Sequence, residues 1–462
     1  MSKKFLTLSL LSLVAPQAGA FQAPEKLAIT GAKVITVSGE TYEKANVLLE
    51  NGRIQAIGKD LEIPWDAKVI DASGKVVMPG LVVAQTNEGL DRPNENVPVT
   101  PFLSVLDALN PVDAFFEDSL REGHATILVI PGNETVIGGT GRVVKPHGLT
   151  VESMTVRVDG GMKIAASPRR GVSAMAHVAE LRKAFVEFRD ELEVAAEKKL
   201  ASAKNEKKAE APSAAAGKAD DKKADEKKPE EKKGDDKKAA EKPAPIDPLQ
   251  VLEWRDLTPR QRALFEVLSG RMPVFLWCER AMDVAHAIEI AKSQGFLART
   301  TLVIGAECWK AADEIKAAGL SVILPSDFVH REIDPLTGKE RETSLPKVFA
   351  AKGIPFALNA TSRGALLERS LLLRAASAVA AGVEPAVALR AITLEPARML
   401  GLQDSHGSLE VGKAGTLLVL SGDPFRSGTW VEEVVIDGAH LYSRSKDDRL
   451  QRLTGDSKDG GR

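Results

Sequence analysis

Cysteine is almost missing from this chain: Cys278 and Cys308 are the two in 462 residues. So few exclude a disulfide framework and a cysteine-rich zinc site, although two thiols in an oxidising compartment can still pair. Charge of one sign is missing as well. Lys and Arg number 62 against 64 Asp and Glu, a formal net charge of -2, so no basic surplus draws the chain to nucleic acid. Runs long enough to span a membrane are also missing. The apolar stretch Leu6 to Ala15 is too short to cross a bilayer. With Lys3 and Lys4 before it and Ala18-Gly19-Ala20 after it, it reads as an export signal over residues 1–20, with Phe21 as the mature start. The expectation is an exported protein, periplasmic or secreted, with no membrane span and no nucleic-acid partner.

What is present alternates in two ways. From Leu27 to Val77 the pattern is short strands and turns, with Asn51-Gly52 between alternating segments as a hairpin signal. A matching set runs from Gly407 to Tyr442 and turns at Asp437-Gly438. These two β-rich ends predict a small composite β-sandwich over residues 21–78 and 403–445. Between them strands alternate with helices: Ala125 to Ile130, Met162 to Ala166, Val274 to Trp277, Thr301 to Gly305, Ser321 to Leu324 and Pro355 to Asn359 each precede or follow helical stretches. That pattern implies parallel βα units, and the length fits a TIM (β/α)8-type barrel over 79–200 and 244–402.

An insertion splits the barrel region. Asp220 to Ala239 repeats two acids, two lysines and a spacer every five residues, a period matching neither helix nor strand. Residues 201–243 read as a disordered, solvated polyampholyte, and 446–462 as a flexible tail.

One stretch sets the chemistry. Val76 to Leu90 is an apolar strand broken by Pro79-Gly80 and ending in Gln85-Thr86-Asn87. Gln85 and Asn87, two residues apart, share a strand face, the placement of a paired ligand set. Amides, however, do not replace histidines on a transition metal.

Several blocks now carry a resemblance: Asn51 to Gly58, Val69 to Leu81, Val136-Ile137-Gly138-Gly139-Thr140-Gly141, Ala388 to Leu402, and Gly407 to Lys413. In this order they resemble the amidohydrolase superfamily, in particular its imidazolonepropionase-related branch, across nearly the whole chain outside the insertion. The resemblance implies a barrel enzyme that hydrolyses C–N bonds. One or two divalent ions such as zinc activate a water there, and an aspartate moves the proton. The ions are held by two histidines after strand 1, often a carboxylated lysine or a Glu on strand 4, and one histidine each after strands 5 and 6. The aspartate follows strand 8.

Carried over residue by residue, the strand-1 pair falls on Gln85 and Asn87. The strand-5 pair falls on Trp277 and Glu279, the strand-6 histidine on Ala306 and the strand-8 aspartate on Thr361. Lys145 and Lys163 are candidates for the strand-4 lysine. None of the seven histidines (His124, His147, His177, His286, His330, His406 and His440) falls on a matched position, though His147 and His330 are candidates to line the barrel mouth. Glu279 and Glu307 offer oxygens, a poor set for Ca²⁺ or Mg²⁺, which take six or more. The resemblance puts Cys278 after strand 5 and Cys308 after strand 6, so a disulfide across the old metal site is a possibility, two buried thiols being the other. Trp277 and Trp309 beside them either fill the volume of the metal and its waters or are ordinary core.

The expectation is a degenerate, metal-free member with no cofactor, its enzymatic status open. It would act by binding a small amide- or peptide-like ligand, or by pairing as a homo-oligomer or with an active paralogue. The alternative is a hydrolase of non-peptide C–N bonds with a reduced or relocated site, for which Ser362, Thr361 and Lys163 are conceivable participants.

Overall fold

The computed structural model describes residues 26–209, 247–360 and 370–454. The expected export signal, residues 210–243 of the insertion, and both Thr361 and Ser362 lie outside the described residues.

The chain opens with β1 (Lys26–Ile35), β2 (Thr41–Glu50), β3 (Arg53–Gly58), β4 (Lys68–Asp71) and β5 (Val76–Pro79). The barrel sheet takes β6 (Leu81–Thr86), β7 (His124–Val129), β8 (Ile137–Val144), β9 (Thr155–Ala165), β10 (Val274–Cys278), β11 (Thr300–Ile304) and β12 (Ser321–Ile323). A hairpin of β13 (Val329–Ile333) and β14 (Glu340–Ser344) follows, then β15 (Phe356–Ala357), the last barrel strand. The chain returns to the first sheet through β16 (Leu417–Leu420), β17 (Val431–Ile436) and β18 (Ala439–Ser443).

Both termini therefore build one eight-stranded sheet, ordered β18-β17-β16-β5-β1-β2-β3 with β4 on β1. Its turns follow from sequence. Asn51 and Gly52 have φ of 50° and 78°, and Asp437 and Gly438 have 50° and 76°. These are the positive angles that two-residue hairpins need and that Asn, Asp and Gly tolerate. The first of the short strands expected from Leu27 is the ten-residue β1, whose register shifts between Ile29 and Ala32.

The strand β16 shows how the halves join. All four of its residues are buried. Leu417 and Val419 enter the terminal-sheet core with Leu27, Ile29, Val47 and Leu49. Leu418 and Leu420 point the other way, into the core shared with the barrel and its helices. Successive strand side chains face opposite sides, so an unbroken apolar run is what a strand buried on both faces requires. β5 repeats the device, with Val77 on one side and Val76 and Met78 on the other.

The barrel sheet runs β15-β12-β11-β10-β9-β8-β7-β6. Most neighbours are parallel, as the alternation predicts, but β8 is antiparallel to both β7 and β9. The block Val136 to Gly141, which carries part of the resemblance, largely enters β8. Between the two end strands the ring is bridged by backbone: Val82 N–H donates to Ile392 O at 3.0 Å and Leu358 N–H to Ala391 O at 2.9 Å. Val82, Ala84, Leu128, Phe275, Val303, Ile323 and Ala357 form the apolar filling, against which Trp277 packs.

Two further expectations change. The helix Ala174–Ala209 carries its axis nine residues into the stretch read as the disordered insertion. The segment read as a flexible tail begins with the helix Asp448–Thr454. Arg449 in it bonds Asp118 at 2.7 Å and Glu117 at 3.0 Å, tying it to the helix Ala114–Arg121.

Candidate functional site

The site is assembled from the strand ends. Between Val83 and Thr86, β6 slips against β7: Val83 pairs Ile127 and Thr86 pairs Val129, three steps against two. Such a bulge re-aims side chains. Gln85 follows Ala84, which already faces the barrel interior, and it also reaches inward: Lys163 Nζ donates to Gln85 Oε1 at 2.8 Å. Lys163 sits on β9 beside Phe275, one layer below the row Ala165, Trp277, Val303, Ile323 and Ala357. Of the two lysine candidates, the structure brings Lys163 to Gln85. Lys145 turns away and pairs with Asp437 of the terminal sheet at 3.0 Å.

Lys163 is buried, 1% exposed. Burial penalises its charged form and lowers its pKa to about 7, opposed weakly by Cys278. It has one hydrogen-bond partner and no carboxylate ion-pair partner among the described residues. At neutral pH a substantial share is the free amine.

The other matched positions do not gather around it as ligands. Trp277 lies on the barrel filling. Glu279 is exposed, and its backbone N–H donates to Ser167 Oγ at 2.6 Å. Ala306 opens a 3-10 helix, Ala306–Ala311, and carries no donor. Asn87 is half-buried. Thr361 lies outside the described residues. His147 is half-buried, and burial together with Lys145 lowers its pKa. His330 sits on β13, 3.2 Å from Glu332. Among the described residues no three His, Cys, Asp or Glu side chains converge to hold a metal ion. An amide pair, an indole, a methyl and a solvent-facing carboxylate do not fit the divalent ion that the fold family implies.

Cys278 and Cys308 are two buried free thiols, so the possible disulfide is not formed in this structure. Cys308 Sγ donates to the Cys278 carbonyl at 3.2 Å, and Gly305 N–H donates to the same oxygen at 2.7 Å. Both thiols face the core between barrel and helices rather than the barrel filling. Burial pushes Cys308 up to about 12 and Cys278 well above the ordinary range, which leaves both inert as nucleophiles.

Three buried groups were missed. Thr135 Oγ1 and Asn359 Oδ1 are buried and have no hydrogen-bond partner among the described residues. Asn359 lies two residues beyond Ala357, the last residue of β15. Ser167 donates to the buried Asp283 at 2.6 Å, and Asp283 accepts Arg280 N–H at 3.1 Å. That network fixes the loops after β9 and β10. A lone Thr or Asn carries no spacing, so nothing in the sequence singled these residues out.

The amidohydrolase family model matches residues 277–456. An amidohydrolase from Thermotoga maritima MSB8 superposes with a TM-score of 0.69 at 24% identity, covering 90% of this chain and all of that one. A prolidase solved with N-methylphosphonate-L-proline gives 0.50 at 15% identity, over 91% of this chain and 100% of its own. The family model thus matches the C-terminal part of the chain, and the likeness to these solved structures shows an amidohydrolase-type fold. Curated relatives match over short stretches. Human dihydropyrimidinase-related protein 5 is 45% identical over 65 residues, 14% of this chain and 11% of its own length. The dihydroorotase of Geotalea daltonii is 46% identical over 54 residues, 12% of this chain and 13% of its own. The chain thus spans about a tenth of the curated relatives that it matches.

Proposed function

We propose that this chain is a metal-free member of its superfamily that acts by binding a small ligand at the barrel mouth or by assembling with a catalytically competent paralogue. One observation carries the reading: the position matched to the first ligand is an amide, Gln85, and it is bonded to Lys163 at 2.8 Å. The amine and amide satisfy each other where a metal cluster would need anionic or imidazole donors. Without such a metal the family's water keeps an ordinary pKa, and its nucleophile is lost.

The competing reading is hydrolysis of a non-peptide C–N bond through a reduced or relocated site. The family match favours it, and a partly neutral Lys163 is a candidate base. Metal analysis of the purified protein, with a panel of amides and cyclic imides assayed with and without added Zn²⁺, separates the two. The binding reading expects no stoichiometric metal and no zinc-dependent turnover; tightly bound zinc with chelator-sensitive turnover overturns it.

Export to the periplasm belongs to the same proposal, supported by Lys3, Lys4, the Leu6 to Ala15 run and Ala18-Gly19-Ala20. N-terminal sequencing of the protein from its native cell compartment tests it; a mature chain that starts before Phe21 and stays in the cytoplasm refutes it.

A further inference from the structure

The barrel has a second polar end, at its base. Thr301 on β11 pairs with Ser321 on β12, and each lies two residues before an inward-facing partner of the apolar filling, Val303 or Ile323. Alternation puts all four on one face, so the hydroxyl pair forms the lowest layer of the barrel interior. The two oxygens are 3.2 Å apart. One O–H of such a pair donates to the other oxygen, and the second is left to donate elsewhere. Thr301 is buried, 5% exposed.

Both residues line a cavity of about 710 Å³ at the starts of β10, β11 and β12. Gln85 and Lys163 lie at the opposite ends of their strands. The volume falls within the roughly 300–1,000 Å³ of small-molecule sites. Leu297, Leu320 and Met399 give the cavity apolar wall. Its charged lining is Lys292, Arg299, Arg398 and Glu395.

Charge narrows the occupant. The one lining carboxylate is already bonded twice: buried Glu395 accepts from Arg390 Nε at 3.0 Å and from Arg398 Nη1 at 3.1 Å. Arg299 Nε donates to a backbone oxygen, Gly270 O, at 3.1 Å. No carboxylate pairs with Arg299 or Lys292 among the described residues. Arg157 adds a guanidinium close by. Its Nη1 donates to Leu400 O at 2.9 Å, and a Cβ on the lining Gly401 would lie 2.7 Å from it. The helices Ala281–Gln294 and Ala312–Ala317 end beside the cavity, and their carbonyl ends act against an anion. Three lining cations less one carboxylate leave two positive charges, more than the two opposing half-charges of the helix ends.

We propose that the cavity at the barrel base binds a phosphorylated small molecule, its phosphoryl oxygens taken by Arg299, Lys292 and the Thr301–Ser321 hydroxyl pair. Guanidinium forks and hydroxyls are the donors that suit phosphoryl oxygens, and a dianion matches the two uncompensated charges. The apolar walls take the organic part, which the volume leaves room for. The site is independent of the metal-free reading, because it lies at the other end of the barrel from Gln85 and Lys163.

Calorimetric titration of the full chain with phenyl phosphate and with inorganic phosphate, at low salt, tests this. Phenyl phosphate is expected to bind once per chain in the millimolar range or tighter, and inorganic phosphate at least about threefold more weakly. Arg299→Ala and Lys292→Ala change exposed side chains and leave the fold intact. Each is expected to weaken phenyl phosphate several-fold, and the two together at least about tenfold. Thr301→Val removes the hydroxyl at constant shape and weakens it about threefold. Lys33→Ala, a cation of the terminal sheet, leaves it unchanged. No binding of phenyl phosphate, binding that survives the Arg299 and Lys292 changes, or equal weakening by Lys33→Ala overturns the proposal. Inorganic phosphate binding as tightly as phenyl phosphate overturns the organic part and makes the site one for free phosphate.

Discussion

The strand β16 and the upper end of the barrel are built on opposite terms. In β16 every side chain is apolar and every face is covered, so the segment is satisfied by its own neighbours. In the second region a buried amine, a hydroxyl and an amide oxygen have one partner or none among the described residues. Burial alone stabilises the first region. In the second, burial is opposed by polar groups that it strands. The contrast teaches where fold ends and function begins: a fully satisfied region specifies structure, and an under-satisfied one specifies something still to arrive.

The comparison breaks most visibly if β16 is hollowed. Leu418→Ala removes a side chain that faces the shared core and is expected to cost about 2–5 kcal/mol in urea unfolding. A change under 1 kcal/mol would mean that the two halves do not depend on this strand. Next, Gly305→Ala places a Cβ against the Glu279 carbonyl, and the overpacking is expected to cost about 1–3 kcal/mol. An unchanged thermal midpoint would refute that tight approach.

A subtler test concerns Lys163. Its folded pKa of about 7 lies below the unfolded value near 10.5, so between those pH values the unfolded chain binds more protons. Stability from this group therefore rises with pH above 7. The raised thiols of Cys278 and Cys308 oppose the trend above about pH 9, where an unfolded thiol deprotonates. From pH 7 to 8.5 the gain is expected to be about 1–2 kcal/mol, and Lys163→Met abolishes it. A flat profile in the unaltered protein would show an accessible, solvated lysine. The smallest effect belongs to the surface. Lys33→Ala removes an exposed pair with Glu43 at 3.0 Å and is expected to change stability by no more than about 0.5 kcal/mol. A larger loss would make the surface part of the architecture.

The legibility of the sequence divides along the same line. The hairpins at Asn51-Gly52 and Asp437-Gly438 could be read because positive φ demands those residues. The barrel units could be read because period and length distinguish strand from helix. The antiparallel course of β8 could not, since Gly138, Gly139 and Gly141 look like a loop until a neighbouring backbone is seen to need their smallness: a Cβ on Gly139 would lie 2.7 Å from Leu103 O. At the site, Gln85 and Lys163 were both legible as candidates, but their bond was not. It depends on a bulge in β6, and a register slip leaves no mark in composition. Thr135 and Asn359 were invisible because an unmet hydrogen bond belongs to the assembled fold rather than to any residue.

The passage from β5 to β6 has a consequence in time. Gly80 alone separates the two strands, and a Cβ there would strike Ala125 and Thr416. The partner that β5 needs on one side is β16, with Leu417 opposite Pro79 and Leu420 opposite Val76. A ribosome making this chain releases β5 early and its partner β16 more than three hundred residues later. Through nearly all of synthesis an apolar edge at Val76–Pro79 waits unpaired, exposed to mispairing and to chaperones. Closure of the terminal sheet is expected to be the last and slowest folding event, and it is the event that locks the strand bearing Gln85 in place.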